Sequence, residues 1–559
     1  MPTLNWIGKE QIINHHNDVP FRVLERKYTF GEIRNEKLGI RNVDDCGDQI
    51  SNSSFQISNS KIIHGDNLEA LKALLPEYEG RIKCIYIDPP YNTGNSPDKG
   101  GWVYYDNVDS PKLRKWFGQV VGKELDDLSR HDKWLCMMYP RLMLLQKLLS
   151  DDGAMFISID DNEQGNLLNI CQSIFGVSNV EQYIWCLQDK SESSFVKTAG
   201  LTVRKEHEYI IACFKGNVKF KKYEGKRDFA DNIKDNPDND PRGPWFSGNI
   251  SRNGIKTTTG SKYYTITNPA GESFSRNWTL TKEEYEEALK DNRIYFAKNG
   301  AGVPRLKIFP QSNSELIQSS LFTDVHTSIT GKNELKEIFG ESPFPFPKPT
   351  TLIVRLMQLI TDPDSIILDS FAGSGTTAHA VLNLNKADGG NRKFILVEME
   401  DYAETITAER VRRVIDGYGD TEGTGGSFDF YELGEPVFDA DGNLNENIGT
   451  EKIREYIWFS EIRNEKLGIR NVDDCDSQIS NSSFQIPNSK YFLGKYLGTA
   501  YYFYYEKDLI TTLDKAFLNT ITQRAEQYVI YADNCLLSAE FMQANHIIFK
   551  KIPRDVKKL

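Results

Sequence analysis

The stretch Cys84-Ile85-Tyr86-Ile87-Asp88-Pro89-Pro90-Tyr91-Asn92-Thr93-Gly94 constrains this chain more than any other. A short apolar run stops at an acid, and two prolines, with fixed φ and no N–H, forbid its continuation as a sheet ladder. The pattern predicts a buried strand whose carboxyl end opens into a stiff loop, where open α/β sheets hold ligands. Asp88 offers a carboxylate, the Asp88 and Pro89 carbonyls can accept hydrogen bonds from outside, and Tyr91 adds an aromatic wall. Such a clamp fits the exocyclic NH2 of a purine or pyrimidine, whose two hydrogens go to two acceptors while the base stacks on the tyrosine. Two acceptors draw that nitrogen toward sp3 and return its delocalised lone pair for attack on an electrophile. Asp-Pro and Pro-Pro are also ordinary turn signals, so a strand-ending turn is the competing reading.

A second strand-and-turn signal lies far downstream. Ile366-Ile367-Leu368-Asp369-Ser370-Phe371-Ala372-Gly373-Ser374-Gly375-Thr376-Thr377 predicts a buried strand, a Gly-x-Gly turn and a helix, which lets backbone approach a nucleoside closely. The next strand, 394–398, ends in Glu398, an acid suited to ribose hydroxyls. The turn lacks the Gly-Lys-Ser/Thr of a phosphate-binding P-loop, and the third glycine of a dinucleotide fingerprint is missing.

A net charge of −12 argues against a protein that coats nucleic acid non-specifically, although an acidic chain can still hold a basic cleft. The eight cysteines are scattered without Cys-x-x-Cys, which disfavours disulfide scaffolds and zinc ribbons and suits a reducing cytoplasm. No run is apolar and long enough to span a bilayer, and the start does not read as a signal peptide. His15-His16 point apart as sequence neighbours and lack a third ligand nearby, so no metal site is expected there. The acidic turn Asp160-Asp161-Asn162-Glu163 is read as a capped helix start.

A nearly identical segment occurs twice, from Glu32 to Lys61 and from Glu461 to Lys490, differing only at Gly47/Asp476, Asp48/Ser477 and Ser58/Pro487. Two copies at opposite ends of the chain cannot stack as a solenoid. Their Ser/Asn/Gln-rich tails have little to bury, so both are read as passenger inserts in surface loops. Between the two main motifs, Lys190, Lys197, Arg204, Lys205, Lys215, Lys219, Lys221, Lys222, Lys226 and Arg227 make a locally basic stretch. Gly-rich loops around Arg242, Arg252 and Lys256 continue it, and Trp245, Trp278 and a helix from Lys282 to Lys290 mark it as folded. Trp102, Tyr104, Tyr105 and Trp116 with Lys112, Arg114 and Lys115 suit a segment that stacks bases and touches phosphates.

Asp88-Pro89-Pro90-Tyr91 resembles the catalytic motif of the amino-group DNA methyltransferases, and the longer form through Gly94 resembles the modification (Mod) subunits of type III restriction systems. The resemblance implies an α/β fold: a permuted, β-type, Rossmann-like S-adenosylmethionine-dependent methyltransferase with an inserted target-recognition region and a small C-terminal α+β domain. The expected organisation is an N-terminal arm (1–31), repeat copy 1 (32–61), a first methyltransferase segment with the catalytic loop (62–186), the recognition region (187–340), a second methyltransferase segment with the cofactor site (341–415), and a C-terminal domain (416–559) interrupted by repeat copy 2 (461–490).

The catalytic residues it implies are Asp88, Pro89, Pro90 and Tyr91, with no metal. The S-adenosylmethionine contacts it implies are Asp66, Lys348, Asp369, Phe371, Gly373, Gly375, Thr376 and Glu398. Asp66 takes the cofactor's adenine by resemblance, while its place after a short strand equally suits a helix N-cap. Lys348 stands in Phe344-Pro345-Phe346-Pro347-Lys348-Pro349, where the family has a Lys-Pro beside the cofactor's methionine moiety. The implied reaction is site-specific methylation of adenine N6 in double-stranded DNA with the target base flipped out. A homodimer and a separate restriction (Res) subunit are the implied protein partners. Cytosine N4 stays open because its amino group is chemically alike, with Asp before Pro-Pro leaning toward adenine. A catalytically idle DNA-recognition subunit serving a nuclease is the alternative of another class.

Overall fold

The structure, a computed structural model, describes residues 4–31, 60–93, 130–187, 205–225, 236, 238–252, 258–309, 314–439, 441–468 and 490–553. Lys221–Gln318 form one compact unit, and Met1–Phe220 with Ser319–Leu559 form the other.

The larger unit is built on a ten-stranded sheet. Its strands in chain order are β1 (Arg22–Gly31), β2 (Lys61–His64), β3 (Ile82–Ile87), β4 (Leu149–Ile159), β5 (Val180–Cys186), β6 (His207–Phe214), β7 (Leu321–Phe322), β8 (Ile366–Asp369), β9 (Lys393–Glu398) and β10 (Ser427–Pro436). Their spatial order is β1-β10-β2-β9-β8-β3-β4-β6-β5-β7. The six strands from β10 to β4 are mutually parallel, and β1 and β6 run antiparallel to their neighbours in that block. Parallel strands are covered on both faces, which is why β3 and β9 read as almost unbroken apolar runs.

The helices explain where a ligand can enter. α1 (Asn67–Tyr78) leads from β2 to β3, α2 (Arg130–Leu148) precedes β4, and α3 (Gln164–Phe175) follows it. Leu68, Leu71, Trp134, Leu144, Leu167 and Ile170 from these helices share one core with Ile85, Ile87, Met155, Ile157 and Leu368. α4 (Ser328–Phe339) and α5 (Thr350–Ile360) come before β8, and α6 (Thr376–Asp388) and α7 (Glu409–Asp416) flank β9 in sequence. α5 packs on β3, β4 and α6. From β3 the chain moves through α2 to β4 on one side, and from β8 through α6 to β9 on the other. β8 and β3 are neighbours, so a topological switch point opens between their carboxyl ends.

Three expected boundaries differ from the structure. The N-terminal arm contributes β1, an edge-side strand paired along its length with β10, because its alternating residues fit a half-buried antiparallel strand. β10 itself inserts between β1 and β2, so the large sheet extends past residue 415. Within the expected recognition region of 187–340, β6, β7 and α4 belong to the larger unit, and the separate unit is narrower. That unit has a three-stranded sheet, a hairpin of Tyr263–Thr267 with Ser273–Asn277, and the helix Lys282–Lys290, which starts with a Thr281/Glu284 capping box. Trp278, Ile266, Tyr285 and Ile294 form its core.

The helix α8 (Thr450–Gly468) covers one face of a four-stranded C-terminal sheet through Ile453, Ile457 and Trp458. Most of both repeats, the aromatic and basic stretch at 102–116, and Lys190, Lys197, Arg204, Lys226, Arg227 and Lys256 lie outside the described residues. The repeat junctions are described. Gly31 pairs with Ser427 and Lys61 with Asp429, on either side of β10, so these two residues sit two strand spacings across and two residues along the sheet from each other, roughly 12 Å apart. Copy 2 begins inside α8, and its first residue, Glu461, is buried. The expected surface insert therefore starts later than residue 461.

Candidate active site

Four acids stand at the carboxyl edge of four adjacent parallel strands: Asp66 just after β2, Glu398 ending β9, Asp369 ending β8 and Asp88 just after β3. A cavity opens at the switch point between the last two, lined among others by Tyr86, Asp88, Phe344, Lys348, Asp369 and Gly373. Phe371 and Thr376 line it as well. The two sequence motifs, remote in the chain, thus share one hollow.

Three consecutive residues of the loop after β3 are each held by a hydrogen bond from outside the loop. Trp134 of α2 donates its indole N–H to the Pro90 carbonyl at 2.7 Å. The Tyr91 hydroxyl donates to Glu208 Oε2 on β6 at 2.9 Å. Asn92, buried and with φ of 59°, donates to Glu163 Oε1 at 2.5 Å and to the Arg130 carbonyl at 3.1 Å. A left-handed Asn is tolerated because its short polar side chain bonds locally. Glu163 is fully buried and also pairs with His131 Nδ1 at 2.7 Å and Asn166 Nδ2 at 2.8 Å. It stands at the N-cap of α3 without making a cap bond, which corrects the reading of the acidic turn as a simple capped start. Asp160 instead closes the turn by accepting from the Asn162 N–H.

Lys348 is the residue whose partner differs most from expectation. Its ammonium donates to both Asp88 oxygens, at 2.7 and 2.6 Å, and lies 4.9 Å from the centre of the Tyr91 ring. The lysine expected beside the cofactor is thus tied to the Asp88 carboxylate and the Tyr91 ring together. Burial pushes the Glu208 carboxyl above the ordinary glutamate range, with the Lys348 charge opposing and the Asp88 charge adding to the shift. Beneath the loop, the Tyr86 hydroxyl and Ser158 Oγ meet at 2.8 Å inside the sheet.

The glycine turn is braced from behind. Gly373 (φ 51°) and Gly375 (φ 79°) take left-handed conformations, and a Cβ on Gly375 would meet the Thr407 carbonyl at 3.0 Å. The Asp369 carboxylate accepts from Thr377 Oγ1 at 2.5 Å and from the Phe371 N–H at 3.0 Å. Glu398 accepts from the N–H of Gly373 at 2.8 Å and of Glu400 at 3.0 Å. Burial pushes both acids up to about 7, against the pull of these donors.

Thr407, in a π-helical turn at Glu404–Ala408, donates to the Gly373 carbonyl at 2.6 Å. The fully buried Arg410 reaches Ser374 Oγ, Thr376 Oγ1, Glu334 and His379 at 2.8–3.3 Å. Such π-turns recur at functional sites.

Asp66 caps α1, accepting from Leu68 and Glu69 N–H groups at 2.8 and 3.2 Å, which is the cap reading of its position. Arg141, buried in α2, donates to Asn67 Oδ1 at 2.6 Å, and Asn67 donates to the Ser370 carbonyl at 3.1 Å, joining α1 to the end of β8. Sequence reading missed Trp134, Glu208, Glu163, Thr407, Arg410 and Arg141. Glu208, an acid at the start of the apolar run Tyr209–Phe214, was a visible signal. The others look like ordinary helix residues.

Residues 82–409 match the DNA methylase family. The type III restriction-modification enzyme StyLTI Mod subunit of Salmonella typhimurium is 35% identical over 61% of this chain and 53% of its own length. The type II methyltransferase M.KpnI of Klebsiella pneumoniae is 30% identical over 63% of this chain and 83% of its own. The chain thus spans about half the length of the Salmonella subunit. Among solved structures, the PvuII DNA methyltransferase (cytosine-N4-specific) aligns over 73% of this chain and 94% of its own, at 14% identity and a TM-score of 0.32.

Proposed function

The chain belongs to the DNA methylase family, and on that premise we propose that it transfers a methyl group from S-adenosylmethionine to adenine N6 at a specific DNA site, as the modification subunit of a type III restriction-modification system. The observation that carries the reading is the shared cavity, in which the acceptor loop at Asp88 and the glycine turn at Gly373 face one another.

The lining chemistry suits that cofactor. The aromatic rings of Phe344, Phe346 and Phe371 and the carboxylates of Asp88 and Asp369 favour a sulfonium cation, and the Lys348 ammonium favours a carboxylate. Glu398 and Asp66, at the neighbouring strand ends, are the acceptors for ribose and adenine. S-adenosylmethionine, when bound, supplies an electrophilic methyl group. Asp88 and the Pro89 carbonyl accept the two N6 hydrogens, and Tyr91 supports the flipped base by stacking. Opening the base out of the duplex costs a few kcal/mol. Phosphate and base-edge contacts fall to the unit at Lys221–Gln318 and its basic neighbours.

The partners in this reading are double-stranded DNA, a second copy of the chain, and a restriction subunit; the relative's name as a Mod subunit supports the last. Among the described residues no helix is long and apolar enough to cross a membrane. The test is methyl transfer from radiolabelled S-adenosylmethionine to unmodified plasmid DNA by the purified chain, followed by modified-base sequencing. N6-methyladenine in one sequence context is expected. N4-methylcytosine would establish the cytosine reading, and absence of transfer to any DNA would refute both.

A further inference from the structure

We infer that Glu208 is a positioning residue for methyl transfer, acting through the Tyr91 hydroxyl to aim the ring on which the target base stacks. The inference rests on the proposed reaction and deepens it by assigning a residue outside the Asp-Pro-Pro-Tyr loop.

Glu208 stands at the start of β6, an antiparallel strand beyond β4, and so reaches the loop from a different region of the sheet. Its Oε2 accepts from the Tyr91 hydroxyl at 2.9 Å. A tyrosine hydroxyl lies on the axis of ring rotation, so this bond does not fix how the ring spins. It fixes where the ring points. The plane is set separately, by packing of Tyr91 against the core that holds Trp134 and by the Lys348 ammonium 4.9 Å from the ring centre. Lys348 is itself held by both Asp88 oxygens, so ring, ammonium and carboxylate form one block whose outer corner is tied through the hydroxyl.

The residues on either side of Tyr91 are pinned through Pro90 to Trp134 and through Asn92 to Glu163. Backbone position is therefore secured without Glu208, and what Glu208 adds is the direction of the side chain. A group misplaced by about 1 Å costs up to ~10²-fold in rate.

The experiment is a double-mutant cycle in the full-length chain, with Tyr91→Phe, Glu208→Ala and the pair, using single-turnover methyl transfer to unmodified plasmid DNA and calorimetric titration with S-adenosylmethionine. Tyr91→Phe and Glu208→Ala are each expected to slow transfer about 10- to 100-fold, the pair no further, because each removes the same bond. Cofactor affinity is expected to stay within about threefold. Glu208→Gln retains an acceptor for the hydroxyl and should restore most of the rate. Multiplying effects in the pair, or a Glu208→Gln as slow as Glu208→Ala, would overturn the inference while leaving the methyltransferase reading in place. A wild-type chain that methylates no DNA would overturn both. Tyr91→Phe, which keeps the ring and its packing, gives an answer even where Glu208→Ala fails to fold.

Discussion

Asp88→Asn separates the chemistry of the loop from its architecture. In the folded chain Asp88 accepts two bonds from Lys348, with side chains only 17% and 10% exposed. Asparagine keeps the shape, but one oxygen becomes an NH2 that faces the ammonium. Removing one partner of a fully buried ion pair costs about 3–5 kcal/mol, and at this exposure about 2 kcal/mol is expected. For a unit as large as Met1–Phe220 with Ser319–Leu559, whose unfolding entropy is about 2 cal/mol/K per residue, that lowers the melting temperature by roughly 2 °C.

The rate should fall further than stability implies, because in the proposed reaction the amino group exchanges a charged carboxylate acceptor for a neutral amide oxygen, whose hydrogen bond is roughly half as strong. Losing one transition-state hydrogen-bonding group costs about 10²- to 10³-fold. Adding Lys348→Met removes the opposed ammonium, so the pair should recover most of the melting temperature and none of the rate. Thermal melts, single-turnover methyl transfer and calorimetric cofactor titration read the three quantities separately. A rate for Asp88→Asn within threefold of wild type, or rate recovery in the double variant, would refute the reasoning.

Arg410→Met should lower S-adenosylmethionine affinity at least ~10-fold, although Arg410 is placed behind the turn, because it strips partners from Ser374, Thr376 and Glu334; unchanged affinity in a titration would show that the turn holds without it. Burial raises Asp369 and Glu398 to about 7, above their ordinary values near 4. The native state therefore keeps protons that the unfolded chain has lost. Stability from this source is complete below about pH 4 and drains away as pH rises through 7, by up to ~1.4 kcal/mol per pH unit for each acid. Denaturant midpoints from pH 5 to 8 should fall less steeply for Glu398→Gln than for wild type, and parallel curves would contradict this. Replacing 32–59 with about four Gly/Ser residues and 469–489 with about eight should leave melting temperature and methyl transfer intact, and loss of either would end the passenger reading. A deletion that also takes Glu461 should cost stability, since Lys550 at 2.6–2.7 Å and the Tyr531 hydroxyl lose their buried partner.

Local chemistry alone made much of the fold legible. Apolar runs ending in an acid named β3, β8 and β9, the prolines stopped β3 at Asp88, and Gly373 and Gly375 declared a turn that needs positive φ. These signals survive in a single string because each is decided by residues adjacent in the chain. What only the tertiary structure decided are pairings between distant segments. β10 entered the sheet between β1 and β2, since a half-buried strand can serve any open edge and its own residues do not say which. Lys348 took Asp88 as its partner across 260 positions, and Glu208 took Tyr91 across 117. A charged side chain in the sequence shows what it can bond to. Which partner it meets depends on the order in which strands stack, and the meeting of β3 and β8 at the switch point is what brings these groups together.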